Sequence, residues 1–121
     1  MEILEQIKEY ANKNHIPIIK DDGCDFLINF CKKNKPINIL EIGTAVGYSG
    51  AMMLLNSPQS TLTTIEINID NYNIAKKTYE NLNLSNRVNQ ILGDAKEVIE
   101  KLNKKFDLIF LDGPKGQYIN Y

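Results

Sequence analysis

At 121 residues, 43% hydrophobic and 24% charged, the chain has the size and composition of one soluble globular domain. Its 14 Lys+Arg against 15 Asp+Glu leave a net charge of −1, which excludes nucleic-acid binding driven by a global positive field. No apolar run approaches the roughly 18 residues of a membrane span, and the acidic, amphipathic start Met1–Gln6 is unlike a signal peptide, so a cytoplasmic protein with no membrane partner is expected.

Taken in order, Ile3, Leu4, Ile7, Tyr10 and Ala11 fall at helical spacing, predicting an amphipathic helix over 2–13 that Asn14-His15-Ile16-Pro17 breaks. His15, the single histidine, sits in that turn and reads as a surface or capping residue rather than a base. Asp21 and Asp22 are expected to cap a second helix whose apolar stripe is Phe26, Leu27, Phe30 and Cys31. Cys24 and Cys31 share a face of that helix, too far apart along it to bond, and no zinc spacing surrounds them; buried thiols are expected. The basic pairs Lys32-Lys33 and Lys104-Lys105 lie near predicted helix ends, where they complement the helix dipole.

An isoleucine-rich strand over 37–42 follows, then a glycine-bearing turn and a helix over 48–56 with Ala51, Met52, Leu54 and Leu55 inward. A β-branched strand over 62–67 ends near Glu66, and a fourth helix runs from Ile69 to about Asn83. A short strand over 88–92 precedes Gly93-Asp94, where Asp94 and Glu97 form a candidate capping box for the next helix. Phe106–Leu111 is the fourth strand, apolar on both faces as a buried parallel strand is, and Asp112-Gly113-Pro114-Lys115 follows it. Strands alternating with helices predict right-handed crossovers and an α/β fold. The expected architecture is a Rossmann-like parallel sheet of about four strands in a single domain over 1–121, with leading helices over 1–35.

In such a sheet ligands sit beyond the carboxyl ends of the strands. That rule gathers Glu66, Asp94 and Asp112 at one edge with Gly43 and Gly47. The glycines permit a tight turn and close approach of a ligand, and Glu66, 23 residues after Gly43, stands where an acid grips ribose hydroxyls. A dinucleotide fingerprint reads G-x-G-x-x-G, whereas Ala45 replaces the middle glycine here. A pyrophosphate, and with it an NAD oxidoreductase, is therefore disfavoured, and a nucleoside without phosphate fits better.

The segments Leu40-Glu41-Ile42-Gly43-Thr44-Ala45-Val46-Gly47-Tyr48-Ser49, Thr64-Ile65-Glu66-Ile67, Gly93-Asp94-Ala95 and Phe106–Tyr118 resemble the class I S-adenosylmethionine-dependent O-methyltransferases. Among these the pattern is similar to the metal-dependent catechol and caffeoyl-CoA group, and most of all to bacterial members that methylate 5-hydroxyuridine in tRNA. The resemblance implies that Glu41, Gly43, Thr44, Gly47, Tyr48 and Ser49 surround the methionine part of the cofactor. It places Glu66 on the ribose, Ile67 beside the adenine, and Asp94 and Ala95 at the adenine edge. Asp112 becomes a cofactor contact and a Mg²⁺ ligand, and Lys115 lies beside the acceptor oxygen as the candidate general base.

Members of that group continue past the Asp-x-x-Lys motif with further strands and an Asp-Asn pair that completes the metal site. The sequence stops at Tyr121, so either the N-terminal part of a longer methyltransferase fold or a genuinely shortened protein is expected, poorly active and self-associating through the edge of its fourth strand or through exposed helix faces. The acceptor implied is tRNA, or else a small phenol of catechol type. A non-catalytic S-adenosylmethionine-binding module is the reading from a different class.

Overall fold

The computed structural model describes residues 2–16, 18–102 and 104–111. Helices α1 (Glu2–Lys13) and α2 (Asp21–Asn34) precede β1 (Asn38–Ile42), α3 (Tyr48–Leu55) and β2 (Thr61–Glu66). Then come α4 (Ile69–Asn81), a 3₁₀ turn over Ser85–Arg87, β3 (Val88–Leu92), α5 (Ala95–Lys101) and β4 (Leu108–Leu111). The strands form one parallel sheet in the order β3-β2-β1-β4. Successive crossovers carry the chain from β1 outward to β3, and β4 then returns to the other side of β1. The switch point, where such a sheet opens a crevice, thus lies between β1 and β4 at their carboxyl ends.

Alternation along the strands sorts the core into two faces. Ile39, Leu62, Val88, Leu108 and Phe110 face the larger core, which Leu4, Ala11, Leu27, Cys31, Met53, Leu54 and Tyr79 from α1 to α4 complete. Leu40, Ile42 and Ile65 face a smaller core with Ala95, Val98, Ile99 and Leu102 of the α5 region. The leading helices therefore share a face with α3 and α4, and among the described helices α5 covers the other alone. Lys8 and Asp21 join α1 to α2 through an ion pair of 2.7 Å.

Several local expectations shift. α1 closes through His15, which takes a left-handed φ of 57° while the Ile16 N–H reaches back to the Ala11 carbonyl at 2.8 Å. Asp21 and Asp22 do not cap α2: the residue ahead of the helix is Lys20, with no side-chain cap, and the two acids occupy the first turn, where they complement the dipole. In α3 Met53 is fully buried and Met52 and Leu55 only partly so, because this short helix is enclosed on nearly every side and has no clear outer face. β4 starts at Leu108 rather than Phe106; just ahead of it the Asp107 carboxylate accepts the N–H groups of Ile37 and Asn38, while the Asp107 N–H donates to the Asn38 carbonyl at 2.8 Å. Ile109 on β4 is 58% exposed, so the strand is not covered on both faces among the described residues. Cys24 and Cys31 are free, buried thiols as expected, and burial pushes both up from the ordinary thiol value. Among the described residues no helix is long and apolar enough to cross a membrane.

Candidate cofactor site

The chain leaves β1 through Gly43, whose N–H donates to the Ile65 carbonyl at 2.9 Å and carries the ladder one step past the strand. Gly43 has φ 93° and Gly47 φ 86°, both in the region that disfavours side chains. Between them Ala45 takes φ 49°, a conformation costing an L-residue about 1 kcal/mol. What holds it is Glu66: Oε1 accepts the Ala45 N–H at 2.7 Å, and Oε2 accepts the Asn68 N–H at 3.0 Å. One carboxylate at the end of β2 thus ties the turn after β1 to the entrance of α4. There Asn68 itself caps the helix through the Asn71 N–H at 3.0 Å. From the far side Thr78 of α4 donates to the Val46 carbonyl at 2.8 Å.

Beneath the turn lies Glu41, a fully buried acid on the larger-core face of β1. Its register partner on β2 is Thr64, whose hydroxyl donates to Glu41 Oε1 at 2.8 Å. Ser49, in the first turn of α3, donates to Oε2. Thr64 has one proton and gives it to Glu41, so across the 2.5 Å contact between Thr44 Oγ1 and Thr64 Oγ1 it is Thr44 that donates. The result is a hydroxyl relay, Thr44 to Thr64 to Glu41, under the glycine turn. A carboxylate out of water is costly unless well bonded, and this relay is part of what makes it tolerable.

The expected site residues do not all come together. Glu41, Gly43, Thr44, Gly47, Ser49 and Glu66 come together at the turn. Ile67 (70% exposed), Ile69 and Leu92 stand open to solvent near Glu66, an apolar rim beside an acid. Asp94 is exposed and caps α5 through the Lys96 N–H at 2.8 Å, so the expected box with Glu97 is replaced by a bond one residue earlier. Ala95 is buried in the smaller core, leaving its backbone at the sheet edge.

The side chain of Tyr48 does not join the turn. Its phenol is pushed up by burial and then by Cys24, with Lys8, Glu5 and Asp21 of the leading helices as its other charged neighbours. Asp112 and Lys115 lie outside the described residues. Among the described residues no group of three His, Cys, Asp or Glu side chains is placed to hold a metal ion. Thr64, Tyr79 and Asn68 were not anticipated; a threonine pair inside a buried strand, Thr63-Thr64, was the available signal for the first of them.

The sequence profile of the O-methyltransferase family matches residues 1–121. Pig (Sus scrofa) catechol O-methyltransferase is 35% identical over 94 residues, covering 73% of this chain and 50% of that protein. A Staphylococcus aureus structure described as a candidate caffeoyl-CoA O-methyltransferase is 36% identical with TM-score 0.86, over 94% of this chain and 55% of that one. The Bacillus cereus O-methyltransferase in complex with S-adenosylhomocysteine is 28% identical with TM-score 0.83, over 93% and 55%. The chain spans about half the length of the curated relatives it matches. The family match over residues 1–121, together with the 35% identity to the pig enzyme, establishes that the chain belongs to the S-adenosylmethionine-dependent O-methyltransferase family that includes the catechol and caffeoyl-CoA enzymes.

Proposed function

We propose that this chain binds S-adenosylmethionine and serves as the cofactor half of an O-methyltransferase. The carrying observation is Glu66. Each of its oxygens accepts one backbone N–H, so about two acceptor positions remain for a pair of ribose hydroxyls, held rigid by the turn and by α4. The exposed Ile67 and Leu92 offer an apolar surface for a purine beside it. Glu41 on β1, bonded by Ser49 from the first turn of α3, suits a cationic amino group at the methionine end and repels a phosphate. The Ala45 N–H, which a pyrophosphate would need, already belongs to Glu66, which argues against NAD.

The bound cofactor supplies an electrophilic sulfonium methyl. The chain's own part is to orient it and to exclude water, which matters most where two opposite charges vanish on the way to product. On the acceptor side the resemblance assigns Lys115 as base and Asp112 as a Mg²⁺ ligand. The described residues do not make a magnesium site, so no step is derived through the metal. For the acceptor we favour 5-hydroxyuridine in tRNA, on the motif resemblance. With a net charge of −1, RNA contacts would have to be local. A catechol-type phenol is the second reading, favoured by the pig relative. Assaying the protein on hypomodified tRNA against catechol separates them: transfer to tRNA alone supports the first, and transfer to catechol alone replaces it. Binding of S-adenosylhomocysteine with transfer to neither supports a non-catalytic module.

A further inference from the structure

Tyr79 is the largest fully buried side chain among those described, 1% exposed, and it reaches from α4 to the underside of the glycine turn. Its hydroxyl is the single buried side-chain polar atom without a hydrogen-bond partner among the described residues. Such an atom is unusual enough to need a reason, because phenylalanine would fill the same space without stranding a donor.

Its location supplies one. A Cβ added to Gly50 would stand 2.6 Å from Tyr79 Oη and 3.2 Å from Glu41 Oε1, so the two oxygens lie no farther apart than those distances combined. The bare backbone of α3 at Gly50 is what lets the phenol come in beside the acid. Burial first, and the Glu41 carboxylate second, drive the phenol well above its ordinary value, with the Thr64 hydroxyl pulling the other way. The phenol therefore keeps its proton. Two acceptors adjoin it: Thr64 Oγ1, whose second lone pair is left over after Thr44 donates to the first, and Glu41 Oε1.

We propose that Tyr79 is a positioning residue for the amino-acid end of the cofactor, a spare donor whose hydroxyl closes onto the Thr64–Glu41 pair when a cationic group engages Glu41. This rests on the reading of Glu41 as the contact to the methionine moiety. The groups that face the Tyr79 hydroxyl are Glu41 and Thr64, so its effect is expected at the amino-acid end of the ligand.

The test compares two probes by calorimetry: S-adenosylhomocysteine, and 5′-methylthioadenosine, which keeps the nucleoside and the thioether but lacks the amino acid. Tyr79→Phe is expected to weaken S-adenosylhomocysteine about three- to tenfold while leaving 5′-methylthioadenosine within about twofold. Its melting temperature stays level or rises, since an unsatisfied buried hydroxyl is removed. Thr64→Val, which removes the hydroxyl that bonds Glu41 Oε1, is expected to show the same selective loss. Equal losses for both probes, or no loss for either, overturn the proposal and leave the cofactor reading standing. If the unaltered protein binds neither probe, or if Glu41→Gln fails to discriminate between them, the cofactor reading fails and takes this inference with it.

Discussion

The two ends of the sheet are built to opposite specifications. At the amino ends of the strands every device consumes hydrogen-bonding capacity. Arg87, ahead of β3, donates to the carbonyls of Leu54, Ser57 and Ser60, closing α3 and the turn into β2. Ser57 and Ser60 bond each other and the Pro36 carbonyl, and Asp107 ties the start of β4 to the start of β1. At the carboxyl ends three residues hold positive φ, two acids are buried, and apolar side chains stand exposed at the rim. One end is finished within the protein, and the other keeps strain and unspent acceptors at a ligand's disposal. Stability and function therefore ought to separate by position along the same strands.

The largest effect expected at the closed end is from Arg87→Ala, which removes three hydrogen bonds to carbonyls, two of which (Leu54 and Ser57) keep a backbone donor, and should cost about 1–3 kcal/mol in urea denaturation, with Arg87→Lys recovering little because an ammonium lacks the planar fork. Affinity for S-adenosylhomocysteine, measured below the melting transition, should not change; a parallel fall would erase the contrast between the two ends. Next is Glu66→Ala at the open end. It should lower affinity for both S-adenosylhomocysteine and 5′-methylthioadenosine at least about tenfold, with a stability loss of only about 1–2 kcal/mol from the two freed N–H groups.

Ala45→Gly should change stability by about 1 kcal/mol or less, since relief of the left-handed alanine is offset by a more flexible unfolded chain. It should still not bind NAD, because the amide at 45 remains committed to Glu66; NAD binding by this variant would make the alanine methyl the sole obstacle.

The smallest effect is acid-dependent. N–H bonds from Ile37 and then Asn38 hold the Asp107 carboxyl below its ordinary value of 3.8. A depressed carboxyl contributes stability above the unfolded value and loses it as pH falls through the lower folded value. Asp107→Asn should therefore lower stability slightly at neutral pH, converge with the unaltered protein below about pH 4, and so flatten the acid limb of the stability curve. A limb that keeps its slope would remove Asp107 from the account.

Much of this was legible in the residues, and the reasons the rest was not are specific. Hydrophobic periodicity placed every α-helix and strand within about two residues, because the strands are short apolar runs between turn signals and most of the helices carry an apolar stripe, while the 3₁₀ turn over Ser85–Arg87 left no such pattern. The turn from Gly43 to Gly47 and the acid at 66 follow from local chemistry. The buried relay does not: that Glu41 faces Thr64 is a matter of register between strands more than twenty residues apart, and Tyr79 arrives from a third element. The orientation of Tyr48 was not legible either: its place in the motif suggested the ligand, and the first turn of an enclosed helix sends its ring toward Cys24 and the leading helices. The aspartates at 21 and 22 were good capping residues one position too late.

The central claim is that the open end of the sheet is a cradle for a nucleoside carrying an amino acid rather than a dinucleotide. Titrating the protein with S-adenosylhomocysteine and with NAD in the same calorimeter addresses it directly. The account predicts saturable binding of S-adenosylhomocysteine, lost in Glu66→Ala, and none of NAD. Binding of NAD in preference to S-adenosylhomocysteine would contradict it.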